Sequence, residues 1–221
     1  MSATTFLERL TPSEREDLQS LGRTRTLGKT SVLFHEGDDA HDVVVLLSGQ
    51  VKITRGAANG RDVILGVFDT GEVLGELSAV DGAPRSATAV ALTSVVALIV
   101  PVSAFNAFLQ GQPRVANELL RTIVERLRDS SQRQLEFGTA DALTRLCRCL
   151  LEMADRYGVD DGNGRAVHLP LAQHELAALA GLSREAVVKG LQSLRALGWI
   201  HAAGRSINLV DMESLRARAC I

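Results

Sequence analysis

This 221-residue chain lacks a long hydrophobic run. Its longest apolar stretch, VALTSVVALIVPV, is interrupted by Thr, Ser and Pro and falls short of the roughly 20 residues that a membrane-spanning helix needs. The first residues, MSATTFLERL, contain no basic region followed by an apolar run, so no signal peptide is expected. These absences predict a cytoplasmic protein that makes no contact with the membrane.

Cysteine is scarce, and neither Cys nor His is arranged for metal binding. Cys147, Cys149 and Cys220 have no C-x-x-C spacing, and the first two lie in an apolar helical stretch that is typical of buried, reduced thiols. The histidines are not spaced as helical metal ligands; they are His35, His41, His168, His174 and His201. We therefore expect no metal site, and no iron–sulfur centre, which would need a cysteine cluster.

The common catalytic motifs are absent as well. The chain contains no G-x-x-x-x-G-K-[ST], no G-x-G-x-x-G and no H-E-x-x-H, so an enzyme is the weakest interpretation. A net charge of −2 does not indicate nucleic-acid binding, but residues 183–205 hold four basic residues against one acidic residue. A local basic surface is compatible with a neutral total.

The pattern of secondary structure changes twice along the chain. Thr11 to Glu14 (TPSE) form a capping box with Pro at the first helical position, which predicts a short helix to about Ser20. Short β-branched runs separated by glycine turns follow up to residue 101 and predict a compact antiparallel roll or barrel. The predicted strands are Ser31–His35, Val43–Leu47, Val51–Arg55, Val63–Phe68, Ala87–Ala91 and Val95–Val100. Helices are predicted from about Ser103 onwards, with a loop at GVDDGNGR and a short strand at Val167–Leu169.

Residues 113–137 show the heptad spacing of a two-stranded coiled coil. The predicted seam contains Ala116, Leu120, Ile123, Leu127, Ser130, Gln134 and Phe137, and a second apolar row contains Val115, Leu119 and Val124. Two apolar surfaces on one helix favour a dimer over a helix that packs only on its own domain. The seam turns polar at Ser130, which is either a register-setting residue or a contact to something polar.

The segment QHELAALAGLSREAVVKGLQSLRALGWI (173–200) fits a helix-turn-helix. Ala177 supplies the small residue at the crossing, Gly181 the turn residue that tolerates positive φ, and Val187 the apolar contact of the second helix. Ser183 is expected to cap that helix. A helical hairpin that does not bind DNA is the alternative, and the basic residues argue against it.

The start of the second helix carries the predicted base contacts. Arg184 can grip guanine in a bidentate fashion, and Glu185 can accept from a cytosine amino group. Lys189 suits a base or a phosphate, although a surface Glu185–Lys189 pair is also possible. The segment IHAAGRSINLV reads as a wing with Arg205 near its tip for phosphate contact.

The stretch LGELSAVDGAPRSATAVA (74–91) holds one acid, Glu76, and one base, Arg85, among small or apolar residues. A guanidinium grips the two free oxygens of a cyclic phosphodiester, and Glu76 suits a ribose hydroxyl. Gly75, Ser86 and Ala87 are small enough for close approach of backbone N–H groups. The competing interpretation is a surface ion pair, which would gain little and explains none of the small residues.

Taken together, these segments resemble the cAMP receptor protein (CRP/FNR) family of bacterial transcription regulators over nearly the whole chain. LFHEGDDAHDVVVLLSGQVKI is similar to the family's sheet signature, GELSAVDGAPRSATA to its phosphate-binding cassette and LSREAVVKGL to its recognition helix. The resemblance implies an α+β protein with an antiparallel, cyclic-nucleotide-binding β-roll (1–112). A long dimerisation helix (113–137) and a C-terminal winged helix-turn-helix (138–221) are implied to follow.

The resemblance further implies cAMP as an allosteric ligand of a homodimer that binds double-stranded DNA and contacts RNA polymerase. Ser130 of one subunit and Ser131 of its partner match the positions that contact adenine, with Ser in place of the family's Thr at 130. Leu65 and Phe68 match apolar walls, and Leu77 belongs to the cassette.

The DNA-binding domain departs from the family at the start of its first motif helix. Ala172 replaces a Thr that often caps the helix, which leaves Gln173 as the first candidate for DNA contact. The resemblance implies TGTGA-like half-sites. A regulator that binds DNA largely without ligand, or that responds to cGMP, is the nearest alternative, and a regulatory module of an enzyme is another.

Overall fold

The computed structural model describes residues 4–56, 62–160, 165–168, 172–203 and 206–219. By its internal packing the chain divides into two units, with the boundary between Asp129 and Ser130. In the part of the chain that the structure describes, no helix combines the length and the apolar character needed to cross a membrane.

The first unit begins with two short helices, α1 (Phe6–Arg9) and α2 (Pro12–Ser20). The predicted capping box of α2 is confirmed: the Thr11 hydroxyl accepts from Glu14 N at 3.3 Å, and the Glu14 carboxylate accepts from Thr11 N at 2.7 Å. Helix α1 was not expected from the sequence, because four residues are too few to show helical periodicity.

Among the described residues of the first unit, eight strands form two antiparallel four-stranded sheets, which confirms the predicted roll. They are β1 (Arg23–Leu27), β2 (Val32–Phe34), β3 (Asp42–Ser48), β4 (Val51–Gly56), β5 (Asp62–Phe68), β6 (Val73–Leu74), β7 (Thr88–Ala91) and β8 (Val95–Pro101). The sheet orders are β1-β8-β3-β6 and β2-β7-β4-β5. A six-residue helix, α3 (Glu76–Asp81), follows β6.

Strand β3 is apolar on both faces because each face meets a different part of the core. Val44 and Leu46 point into the space between the two sheets, against residues such as Ala89. Val43 and Val45 point the other way, beneath the helices. The continuous run VVVLL in the sequence is the consequence of this double burial.

Helix α4 (Val102–Gly111) leads into the long helix α5 (Pro113–Thr139), whose apolar residues lie on two faces. Val115 and Leu119 are buried in the core of the first unit, and Ile123 packs against the same core. The solvent-facing row consists of Leu120, Val124, Leu127 and Leu135. The sequence placed Ile123 in the predicted seam and Val124 in the second apolar row with Val115 and Leu119, but Ile123 packs against the core and Val124 is exposed, so the two residues are exchanged. The side chain of Phe137 lies outside the described residues.

Ion pairs hold the first half of α5 to the N-terminal helices. Arg114 contacts the buried carboxylate of Glu14, and Arg9 pairs with Glu125 at 2.6 Å and with Glu118 at 3.9 Å. The hydrogen bond from Arg114, reinforced by Thr11, lowers the pKa of Glu14 to about 2.

The second unit contains the end of α5 and the predicted helical motif. Its elements are α6 (Ala142–Tyr157), β9 (Gly158–Asp160), β10 (Arg165–His168), α7 (Gln173–Ala180), α8 (Arg184–Ala196), β11 (Ile200–Ala203), β12 (Ser206–Leu209) and α9 (Met212–Ala219). The strands form one antiparallel sheet in the order β11-β12-β10-β9. Gly158–Asp160 is therefore a strand rather than the start of a loop, and β10 begins at Arg165; Leu169 lies outside the described residues.

Candidate functional site

The cassette between β6 and β7 is organised around Gly75. This residue adopts a left-handed conformation, with φ of 77°, and serves as the N-cap of α3. A Cβ atom at this position would overlap Nη1 of Arg85, whose guanidinium donates to the Gly75 carbonyl at 3.1 Å. Glycine is therefore required here both for the backbone conformation and for the space.

Arg85 is held inside the roll by its backbone and by its side chain. Its N–H donates to the Asp38 carbonyl at 2.8 Å, and its carbonyl accepts from Gly37 N at the same distance. The whole residue is only 4% exposed, and its guanidinium lies 4.4 Å from the centre of the Phe34 ring. Nη2 donates to the Asp42 carbonyl at 2.6 Å and to the Asp42 carboxylate at 2.8 Å.

Among the described residues, the buried Nε–H group of this guanidinium has no acceptor. A buried donor without a partner is costly and is found mainly where a ligand, ion or water completes the site. A phosphodiester oxygen has the charge and the acceptor geometry to satisfy this group, so Arg85 fits the anionic part of a cyclic nucleotide.

Glu76 is 5% exposed and is paired with an arginine of α5. Arg126 donates through Nη1 to the Glu76 carboxylate at 2.7 Å. Its Nη2 donates to the Glu72 carboxylate at 2.6 Å and to the Val73 carbonyl at 2.9 Å, and the group lies 4.8 Å from the centre of the Phe68 ring.

The two charged residues of the cassette are thus not paired with each other, which argues against the simple ion-pair interpretation. Arg85 has Asp42 as its partner, and Glu76 has Arg126. Arg126 was not expected at this site from the sequence. The available signal was its position one helical turn before Ser130, on a helix already assigned to ligand contact.

The other predicted ligand-binding residues lie in varied surroundings. Leu65 and Leu77 are 48% and 45% exposed, Ser86 is exposed and Ala87 is buried. Phe68 lies against Arg126. Ser130 and Ser131 are exposed residues of α5 and belong to the second unit.

The helix-turn-helix has the geometry that the sequence predicted. Gly181 ends α7 in the left-handed conformation, with φ of 64°, and Ser183 caps α8 by accepting from Ala186 N at 3.1 Å. Ala177 and Val187 are buried. Arg145 of α6 donates to the Gly181 carbonyl at 3.1 Å and so ties the turn to α6.

The predicted base-reading side chains lie on the open face of α8. Arg184, Glu185 and Lys189 are all exposed and fall within the first two turns of the helix. Gln173 is exposed at the start of α7. Arg205 lies outside the described residues.

Helix α7 keeps half of a capping box although Ala172 has no side-chain oxygen. The Glu175 carboxylate accepts from Ala172 N at 2.8 Å, so one of the two reciprocal bonds is present. The missing hydroxyl removes one cap and one candidate phosphate contact.

The two cysteines of α6 are buried, and this burial governs their reactivity. Burial raises the pKa of Cys147 to about 11 and that of Cys149 to about 12. Both therefore remain protonated, poorly nucleophilic thiols at neutral pH.

A roll with a charged cassette, followed by a long helix and a helix-turn-helix, is the architecture of transcription regulators that combine a cyclic nucleotide-binding domain with a DNA-binding domain. Comparisons with known families agree: residues 24–112 match the cyclic nucleotide-binding domain, and residues 144–218 match the Crp-like helix-turn-helix domain. The chain belongs to the CRP/FNR family of transcription regulators. Members of this family regulate transcription and are not enzymes.

Three similar proteins illustrate the range of the family. The CRP-like cAMP-activated global transcriptional regulator of Mycobacterium tuberculosis is 34% identical over 85% of this chain and 84% of its own length. The cyclic AMP receptor protein of Thermus thermophilus is 28% identical over 97% and 96%. The solved structure of TTHB099, a CRP-family regulator of Thermus thermophilus, is 27% identical with a TM-score of 0.74 over 88% and 96%.

Proposed function

We propose that this protein is a cAMP-responsive regulator that binds a TGTGA-like palindrome as a homodimer. The single observation that carries the ligand assignment is the buried guanidinium of Arg85, whose Nε has no acceptor among the described residues. The cyclic phosphate binds there, close to Ser86 and Ala87, and Gly75 keeps the cassette open to the guanidinium. The two similar proteins named above for cAMP support this nucleotide.

The sugar end of the ligand meets the pair formed by Glu76 and Arg126. Glu76 has a second carboxylate oxygen beyond the Oε1 that binds Arg126, and this atom is suited to accept from the ribose 2′-OH. Arg126 is a residue of α5, so an event at Glu76 acts directly on the long helix. Leu65, Leu77 and Phe68 supply apolar surface on the same unit.

Dimerisation follows from the exposed apolar row of α5. Leu120, Leu127 and Leu135 are each more than half exposed, which is unusual for a row of leucines at helical spacing. Pairing of two such helices buries them. The hydroxyl groups of Ser130 and of Ser131 from the partner subunit then bind the adenine and stabilise the paired helices.

The paired helices carry the ligand signal to DNA. The ligand sets the two copies of α8 about 34 Å apart, one turn of DNA. Arg184 then binds guanine, Glu185 binds cytosine on the opposite strand, and Lys189 supports them. The DNA backbone is contacted by Ser183, Gln173 and Arg205. The complex contacts RNA polymerase in the cytoplasm.

The proposal is tested by fluorescence anisotropy with a labelled palindrome during a titration with cAMP, together with calorimetry of cAMP binding. We expect cAMP to strengthen DNA binding by tenfold or more, since coupling between sites is typically worth about 1–3 kcal/mol. Arg85→Leu should abolish nucleotide binding and leave the fold intact. DNA affinity that stays constant while cAMP is bound would refute the coupling.

A second candidate is a regulator that binds DNA largely without ligand, or that prefers cGMP. Binding without ligand is supported by the intramolecular partners of both charged cassette residues, because Asp42 and Arg126 already compensate their charges. Parallel titrations with cAMP and cGMP, and DNA binding in the absence of both, distinguish the two candidates.

A further inference from the structure

Asp42 accepts hydrogen bonds from the same guanidinium that is proposed to hold the phosphate. Asp42 is the first residue of β3, and its side chain is 41% exposed, whereas the Arg85 side chain is only 3% exposed. Nη2 donates to two oxygens of Asp42, the backbone carbonyl and Oδ1. The backbone contact fixes the position of the guanidinium whatever the side chain at this position is.

The geometry of the guanidinium makes the contact between Asp42 and Nη2 compete with a phosphate contact. Nε–H and one Nη2 hydrogen lie on the same edge, and a bidentate phosphate contact uses both. On this edge Nε is the unsatisfied donor, and Nη2 is already engaged by Asp42. An anion that binds to the edge therefore meets a second negative charge at the same guanidinium.

We propose that the Asp42 carboxylate is an intramolecular competitor of the ligand's phosphate, so that it lowers nucleotide affinity and sets the concentration at which the protein responds. This inference rests on the proposed function, since it assumes that a cyclic nucleotide binds at Arg85. Asp42 is a positioning residue in this scheme, and it acts on the ligand through Arg85.

The test compares Asp42→Asn with the native full-length protein by calorimetry of cAMP binding. Asparagine keeps the shape and an acceptor for Nη2 but removes the charge. Two anions that share one guanidinium lie about 5 Å apart, so we expect cAMP to bind about tenfold more tightly, a gain of about 1.4 kcal/mol. Asp42→Ser removes the same charge with a different shape and should change affinity in the same direction.

Two controls separate this effect from a general change in charge or access. Asp39 is an exposed residue three positions before Asp42. Asp39→Asn removes one negative charge there and should change cAMP affinity by less than about twofold. Adenosine has no phosphate, so it should bind to the native protein and to Asp42→Asn with equal affinity.

Each outcome decides between the inference and the function on which it rests. Native binding with no gain in either Asp42 variant overturns the inference and leaves the function standing. An equal gain for adenosine also overturns the inference, because the phosphate is then not the cause. If only the Asp42 variants bind cAMP, the competitor role of Asp42 is supported, but the native chain is not a cAMP-responsive regulator. If neither the native protein nor a variant binds cAMP, the inference and the proposed function are both overturned.

Discussion

Replacement of Gly75 by alanine should disable the cassette through two separate effects. The first is backbone strain, because a residue with a Cβ atom pays about 1–2 kcal/mol in the left-handed conformation that Gly75 adopts. The second is the overlap of the new Cβ with Arg85 Nη1, which displaces the guanidinium from the Gly75 carbonyl. A hydrogen bond from a charged donor contributes about 1.5–3 kcal/mol, so we expect a total loss of about 3 kcal/mol in the free energy of unfolding. Nucleotide binding should be lost as well.

The chain provides a matched control at the other end of the same short helix. Gly82 caps the C-terminus of α3 with φ of 71°, and a Cβ atom there would meet nothing within 4 Å. Gly82→Ala therefore carries the strain alone, about 1 kcal/mol, and should keep native nucleotide affinity. Urea unfolding and calorimetry of both variants test the reasoning. Equal stability losses, or native binding by Gly75→Ala, would show that the close approach to Arg85 is not essential.

Two further predictions concern DNA recognition and acid stability. Arg184→Ala should weaken binding to the palindrome about tenfold to hundredfold and binding to random DNA far less, because a bidentate base contact is worth about 1–3 kcal/mol. Fluorescence anisotropy measures both affinities. The control Arg216→Ala removes an exposed charge on α9 and should not reproduce this selectivity. The pKa of Glu14 is lowered from 4.5 to about 2 by Arg114, so its stabilising effect is complete above pH 4.5 and is lost as the pH falls towards 2. Glu14→Gln should therefore lose less unfolding free energy than the native protein between pH 6 and pH 3 in urea titrations, and equal losses would contradict the assignment.

The sequence predicted the roll and the helix-turn-helix because their signals are local. Alternating β-branched residues, glycine turns and the spacing of Ala177, Gly181 and Val187 each act within a few residues. Helix α3 and strand β1 were missed for a physical reason. Six residues are too short to show a helical period, and RTRTL in β1 is almost entirely exposed, so it carries no apolar alternation.

The partners of the cassette charges could not be predicted from one sequence. Arg85 and Glu76 were recognised by their residue types within a segment of small side chains. Asp42 lies 43 residues from Arg85, and Arg126 lies 50 residues from Glu76, so only the folded chain brings each pair together. The exchange of Ile123 and Val124 has a similar origin, since adjacent helical positions differ by about 100° and the sequence does not say where the neighbouring sheet lies.

The attachment of α5 to the first helices has a practical consequence for anyone who shortens this protein. The domain match begins at residue 24, which invites removal of everything before it. Such a cut would remove the buried side chains of Phe6, Leu10 and Leu18. It would also remove Glu14 and so leave Arg114 without its carboxylate partner. Residues 6–20 thus anchor the start of the long helix, and a shortened protein would reveal the behaviour of that helix without its anchor.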